Sequence, residues 1–164
     1  MGATPGFTIR AAVAADGPEI ARLLTALGHP TAVADIAERW PAWSAAGNGA
    51  LVAVGPGGEL AGLATLHHTH VLHRPHPVGR ITALVIDESV RGRGVGRTLV
   101  AAAEEALGGL GCGLLEITCH MRRTDAHRFY ERIGYEKTSF RFARAIGPRK
   151  QDGAGPAGRA TRRA

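Results

Sequence analysis

Between residues 91 and 96 the chain reads Arg-Gly-Arg-Gly-Val-Gly, three glycines at alternate positions with two arginines among them. Glycine readily takes left-handed backbone angles, so successive N–H groups of such a run can turn toward one concavity. An apolar helical period begins at Val95, which adds the unpaired donors and partial positive charge of a helix N-terminus to the same spot. Together these features suit a pyrophosphate, with Arg91 and Arg93 supplying charge at the rim; the plainer alternative is a tight strand-to-helix turn. No Lys-Ser/Thr pair follows the last glycine, so the phosphate lysine and magnesium ligand of a P-loop NTPase are missing. A dinucleotide fingerprint also fails. Glu116 falls near the expected ribose position, but the glycine spacing differs and the strands upstream form an antiparallel hairpin.

Other side chains that could do chemistry lie on both sides of this turn. Tyr130 carries a phenol that, at an ordinary pKa of about 10, stays protonated at neutral pH and can donate a proton or hydrogen bond; the alternative is a core tyrosine. Glu116 and His120 sit on and just beyond a short apolar run. Five histidines (His67, His68, His70, His73 and His76) invite a metal reading, yet strand alternation splits His67 from His68 and His70. No cysteine or paired carboxylate completes a tetrahedral set, so we expect a polar lining or exposed loop histidines and no metal.

Positioning these groups requires an ordered series of elements. Phe7 to Ala11 is a short extended run, followed by a helix with Asp16 as N-cap, Pro18 in its first turn and Ile20, Leu23, Leu24 and Leu27 on one face. A second helical stretch spans Val33 to Ala46, with Trp40 and Trp43 as apolar points and Pro41 as a kink or break. Ala50 to Val54 and Glu59 to His70 flank Gly55-Pro56-Gly57-Gly58, the turn chemistry of a hairpin. Arg80 to Ile86 reads as a strand buried on both faces at the centre of the sheet. Val95, Leu99, Ala102 and Ala106 mark a helix that glycines 108, 109 and 111 close, and Leu114 to Thr118 forms a parallel strand by a right-handed crossover. The last helix takes Thr124 or Asp125 as N-cap, Ala126, Phe129, Tyr130 and Ile133 as its face, and Gly134 as its C-terminal cap. Tyr135 to Arg144 alternates as a terminal strand. The fold class is therefore α/β, one mixed sheet with helices on both faces.

Bulk properties set the outer limits. A length of 164 residues suits one domain, and 45% hydrophobic with 21% charged content is ordinary for a globular protein. Only 5% is aromatic, so Ala, Val, Leu and Ile must build the core. No stretch is long and apolar enough for a spanning helix and no signal-peptide pattern opens the chain, so the expected location is cytoplasmic, with no membrane partner. Cys112 and Cys119 form neither a disulfide framework nor a CxxC pair and read as free thiols. Of the net charge of +6, residues 147–164 carry +4, in a Gly-, Pro- and Ala-rich segment without apolar period. We divide the chain into a domain over 1–146 and a basic disordered, solubilising tail over 147–164; nucleic acid is not an expected partner.

Two motifs carry a family likeness. Arg91 to Gly96 fits a Q/R-x-x-G-x-G/A pyrophosphate loop, and Ala126-His127-Arg128-Phe129-Tyr130-Glu131-Arg132-Ile133-Gly134-Tyr135 fits A-x-x-F-Y-x-x-x-G-F/Y. With these motifs in this order, the chain resembles the GNAT superfamily of N-acetyltransferases over residues 7 to 146. The resemblance implies the acyl-CoA N-acyltransferase fold, acetyl-CoA as co-substrate, and direct transfer of acetyl to a primary amine of a small molecule, or of a peptide or protein, in a ternary complex. It implies that the backbone near Val85 and Ile86 pairs with the pantetheine arm and donates to the acetyl oxygen. It implies further that Arg91, Gly92, Arg93, Gly94, Val95, Gly96 and Phe129 hold the coenzyme, and that Tyr130 is the general acid at the leaving sulfur.

The chain also departs from that pattern. Ile81 to Ile86 offers no carboxylate, which leaves Glu116 as the leading candidate base; His120, a histidine of the preceding strand, or an acceptor that binds as the neutral amine are alternatives. Residues 135–146 leave room for one terminal strand in place of two, so the acceptor site is expected to be open or completed by a second copy in a homodimer. Three competing readings stand beside this one: a Cys119 acyl-enzyme, an acyl-CoA sensor without catalysis, and a nucleic-acid binder relying on the basic tail.

Overall fold

A computed structural model describes residues 6–145; the basic tail expected over 147–164 lies outside them. Strand β1 (Thr8–Ala11) leads through a 3-10 turn (Ala14–Asp16) into helices α1 (Gly17–Leu27) and α2 (Val33–Ala45). Strands β2 (Gly49–Val54), β3 (Leu60–Thr69) and β4 (Val78–Ile86) follow, then a 3-10 turn (Glu88–Val90), helix α3 (Val95–Gly109), strand β5 (Leu114–Ile117) and helix α4 (Thr124–Arg132). The strands lie in sequence order in one sheet, antiparallel from β1 to β4, with β5 parallel to β4.

The two faces of the sheet are filled by alternate residues of the same strands, as the period of two requires. On one face Ala64, Leu66 and Ile81 meet Val95, Leu99, Ala103 and Leu107 of α3, with Phe129 of α4 and Ile133 just after it packed alongside. On the other, Val52, Leu63 and Val85 meet Ile20 and Leu23 of α1, with Trp40 and Trp43 of α2 against them. Small residues let α3 lie close to the sheet, consistent with so few aromatic anchors.

Several expectations are corrected in detail. The middle strand of the five is β3, and β4 is not buried on both faces: Arg80 and Thr82 are exposed because neither α1 nor α2 covers that part of the sheet. Asp16 does not cap α1 through its side chain; its carboxylate accepts from Val13 N–H (2.9 Å) and pairs with Arg10 (2.7 Å), closing the turn before the helix. Helix α2 continues through Pro41. Arg123, not Thr124 or Asp125, occupies the N-cap position of α4, without a side-chain cap. At the other end Gly134 takes φ 97°, and the N–H groups of Gly134 and Tyr135 reach back to Glu131 and Tyr130, a Schellman closure. The expected terminal strand does not form among the described residues. Residues 136–145 form no ladder, and Phe140 and Phe142 lie exposed, because alternation stabilises a strand only where a partner edge receives it.

Asp87 fastens the end of β4 to the turn that follows. Its Oδ1 accepts from Ser89 N–H (3.1 Å) and Ser89 Oγ (2.6 Å), while Oδ2 takes Arg22 of α1, whose other nitrogen donates to Leu60 O (2.9 Å). These donors hold the carboxyl at about 2, against an ordinary 3.8. A depressed carboxylate pKa stabilises the fold fully above the unfolded value and ceases to as pH falls through the folded one. Thermal melts should therefore show stability falling from about pH 4 toward pH 2. Asp87→Asn should cost about 1 kcal/mol at pH 7 and flatten that acid limb.

Candidate active site

Strands β4 and β5 pair over only four steps, from Val78 opposite Leu114 to Ile81 opposite Ile117. Strand β5 stops at Ile117, whereas β4 runs on to Ile86, so the sheet forks. The fork begins at an irregularity. Thr65 of β3 faces Ala83 and Leu66 faces Ile81, leaving Thr82 as an extra residue in β4. A bulge of this kind bends its strand away from a neighbour. It also resets the alternation, so that Ile81 and Leu84, three residues apart, both pack toward α3. Asp87 N–H bonds to Ala61 O (2.9 Å), and alternate residues of a strand address opposite neighbours, so Leu84 and Ile86 present their peptide groups to the fork. The peptide groups of Val85, proposed from sequence for this role, face β3 instead.

A cleft of about 380 Å³ fills the fork and passes through the plane of the sheet, with Ala26 and Leu27 of α1 at one side and Phe129 and Tyr130 of α4 at the other. Its floor is Leu84, Val85 and Ile86. Its far wall is the glycine turn, where Gly92 (φ 77°) and Gly94 (φ 88°) take left-handed angles that side-chain-bearing residues avoid. Helix α3 has no side-chain cap, and its first backbone bond is Thr98 N–H to Gly94 O (3.1 Å). The N–H groups of Val95, Gly96 and Arg97 thus precede the helical ladder at the cleft wall. Gly96 serves packing: a Cβ there would lie 3.4 Å from Ile86 and Phe129.

Charge follows the same plan. Arg91, Arg97, Arg123 and Arg132 line the cleft against the single acid Asp125, so an anion is favoured throughout. Arg91 is held in place by donating through Nε to Ile86 O (3.3 Å). Arg93 does not line the cleft; its guanidinium stacks over Phe7 at 4.9 Å. Glycine spacing had pointed to Arg91 but not to Arg97, Arg123 or Arg132. Arg97 directly follows the last glycine, while Arg123 and Arg132 bracket the second motif, a pattern that sequence reading overlooked.

Tyr130 lines the cleft with its ring edge-on to Phe129 (centroids 5.2 Å apart). Burial, reinforced by nearby Cys119 and opposed by Arg123, pushes its phenol up to about 12. Burial likewise raises the Cys119 thiol. Glu116 is not part of the cleft wall: Nε and Nη2 of Arg80 both hold its Oε2 at 2.9 Å. His120 accepts from Arg122 N–H through Nδ1 (3.1 Å), which leaves its proton on Nε2. His67 pairs with Asn48 (2.9 Å), and among the described residues no three His, Cys, Asp or Glu side chains converge as metal ligands. Trp40 and Trp43 contact each other (5.3 Å) in the α1–α2 core. Among the described residues no helix is long and apolar enough to cross a membrane.

Comparison with known proteins agrees with this geometry. The chain is 40% identical over 89 residues to an aminoalkylphosphonate N-acetyltransferase of Salmonella typhimurium; the match takes in 54% of this chain and 58% of that protein. Thus it spans a little over half the length of that curated relative. In structure it is similar to a Trypanosoma brucei acetyltransferase (TM-score 0.74, 24% identity, 85% of this chain and 99% of the other). It is also similar to an aminoglycoside N-acetyltransferase in complex with CoA (TM-score 0.75, 19% identity, 85% and 95% covered). Residues 20–135, which include the fork, the glycine turn and Tyr130, match the model of the acetyltransferase (GNAT) family, and the chain belongs to that family.

Proposed function

We propose that this domain binds acetyl-CoA in the β4–β5 fork and transfers its acetyl group to the primary amine of a small molecule, by direct attack in a ternary complex. The observation that carries this reading is the fork itself, lined on one side by the peptide groups of Leu84 and Ile86, which lack a neighbouring strand, and on the other by a donor-rich, arginine-flanked helix start. The pyrophosphate would sit on the N–H groups at 94–97, with Arg91, Arg97, Arg123 and Arg132 balancing the phosphates. The pantetheine amides would complete the ladder at Leu84 and Ile86, aiming the thioester at the narrow end of the fork near Ala83. Unpaired thiols and a coenzyme substrate fit the cytosol. The curated relative acts, by its name, on an aminoalkylphosphonate, which makes short amines bearing an anionic group the first acceptors to examine.

Attack of a neutral amine on the thioester carbon gives a tetrahedral oxyanion, whose collapse forms the amide and breaks the carbon–sulfur bond. Tyr130 would stabilise the departing thiolate. With its phenol near 12, full proton transfer to a thiolate of pKa about 8.5 is uphill by roughly 5 kcal/mol, so the hydroxyl acts as a hydrogen-bond donor that keeps its proton. The proton released by the amine leaves through water. A Cys119 acyl-enzyme is disfavoured because burial keeps that thiol protonated.

Acetyl-CoA incubated with an amine panel should release free thiol, and Cys119→Ala should retain that turnover with no acyl burst. Tight coenzyme binding without thiol release from any acceptor would replace the enzyme by a sensor. Tyr130→Phe should lower kcat about 10- to 100-fold while leaving acetyl-CoA affinity within about twofold, measured by steady-state kinetics and calorimetry. Gly94→Ala forces a side-chain-bearing residue to φ 88° at the donor cradle. It should weaken CoA binding at least tenfold by calorimetry, at a stability cost of about 1–2 kcal/mol.

A further inference from the structure

On the sheet face away from α3, one pleat from the fork, three polar residues stand in register: His67 of β3 opposite Arg80 of β4, and Arg80 opposite Glu116 of β5. Their direction follows from their neighbours. Leu66, Ile81, Leu115 and Ile117 pack toward α3, so the residues between them project to the other side. No helix among the described residues covers this patch: the side chains of Arg80 and Glu116 are 53% and 39% exposed. Next to the fork on the same face, Thr65 and Thr82 join hydroxyls at 2.8 Å. The connection after helix α2 borders the patch through Asn48, which donates to Trp43 O of α2 (2.9 Å) and meets His67 (2.9 Å).

We propose that this patch is the acceptor floor and that Arg80 recognises an anionic group carried by the amine; this rests on the acetyltransferase reading above. Acetyl-CoA would fill the cleft from the arginine-lined wall, leaving the open face at the fork's apex for the attacking amine. Arg80 is the cation there. Glu116 Oε2 accepts from Arg80 Nε (2.9 Å) and lies 2.9 Å from Nη2, which fixes the guanidinium plane with one edge on Glu116 and leaves the Nη1 and outer Nη2 hydrogens at the other end for a ligand. A planar pair of free donors suits a phosphonate, phosphate or carboxylate. The pairing also neutralises the patch, so a polycation gains nothing on entering, whereas an amine with its own anion matches it. Arg80 lies two residues from the bulge, about 7 Å along a strand, so the anion and the amine must be separated by only a few bonds. Glu116 is then a positioning residue that holds Arg80, and not the base.

Matched acceptors test the assignment: 2-aminoethylphosphonate against n-propylamine, with wild-type, Arg80→Gln and Glu116→Gln full-length chains, each first checked for an unchanged thermal melt. Wild-type should prefer the phosphonate in kcat/KM, and Arg80→Gln should shrink that preference about 10- to 100-fold through KM for the phosphonate, with KM for acetyl-CoA unmoved. Glu116→Gln should raise KM for the phosphonate severalfold with kcat and its pH profile preserved; a fallen kcat with a displaced basic limb would make it the base and overturn its positioning role. Equal losses on both acceptors in Arg80→Gln, or no preference in wild-type, would overturn the proposal. If wild-type turns over neither acceptor, calorimetry with CoA-saturated protein decides. Phosphonate binding that Arg80→Gln abolishes sustains the subsite while the activity reading fails, and binding that is absent or indifferent to the substitution overturns both.

Discussion

The structure depends on one geometric constraint, that β4 is five residues longer than its pairing with β5. A sheet that parts in mid-strand leaves peptide groups without partners, and unsatisfied backbone groups away from water are costly. The fold tolerates the gap because its flanks are fixed independently. Below the parting, the parallel ladder and Ile81 and Ile117 hold β4 and β5 together. Above it, β4 stays paired to β3 through Ile86, and Asp87 locks its end to the 3-10 turn and to Arg22 of α1. The extra residue at Thr82 lets one strand satisfy both requirements. Its bend separates the strands, and its resetting of the alternation keeps Leu84 and Ile86 packed toward α3.

From that constraint the distribution of charge follows. The open ladder at Leu84 and Ile86 is uncharged and can direct only by hydrogen bonds, so affinity for a polyanion must come from the walls. The wall at 91–97 supplies main-chain donors that need no side chain, and the arginines at 91, 97, 123 and 132 reach in from three elements. The face beyond the apex is organised differently, with Arg80 and Glu116 cancelling each other beside hydroxyl groups. In the reaction proposed above, a cationic wall and a neutral floor would keep apart two ligands that must meet at one carbon yet must not exchange places.

Much of this was legible in the chain because the informative residues are local. Gly92 and Gly94 announce left-handed angles, the apolar period from Val95 announces a helix, and Gly134 announces the end of the last one. What could not be read is non-local. The bulge at Thr82 exists only as a mismatch between two strands, and a nearly continuous apolar run from Arg80 to Ile86 does not announce it. Glu116 stood as the leading candidate base, and only the register places Arg80 beside it, 36 residues away. Residues 136–145 show the opposite error: the alternation of Thr138, Phe140 and Phe142 is genuine, but a strand needs an edge to join.

The same distinction explains why Tyr130 behaves differently from a tyrosine judged by type alone. An isolated phenol near 10 is within reach of a thiolate as a proton donor, and the motif around it suggests that role. Burial against Phe129 and Cys119 moves it to about 12, which widens the mismatch with sulfur and weakens it as an acid. Yet burial also removes water that would compete for the hydroxyl, so a neutral donor aimed at developing negative charge acts more strongly there than at the surface. Desolvation thus converts the group from one that could give up its proton into one that shares it. For the proposed leaving thiolate, a far weaker base than an alkoxide or amide, such sharing would suffice.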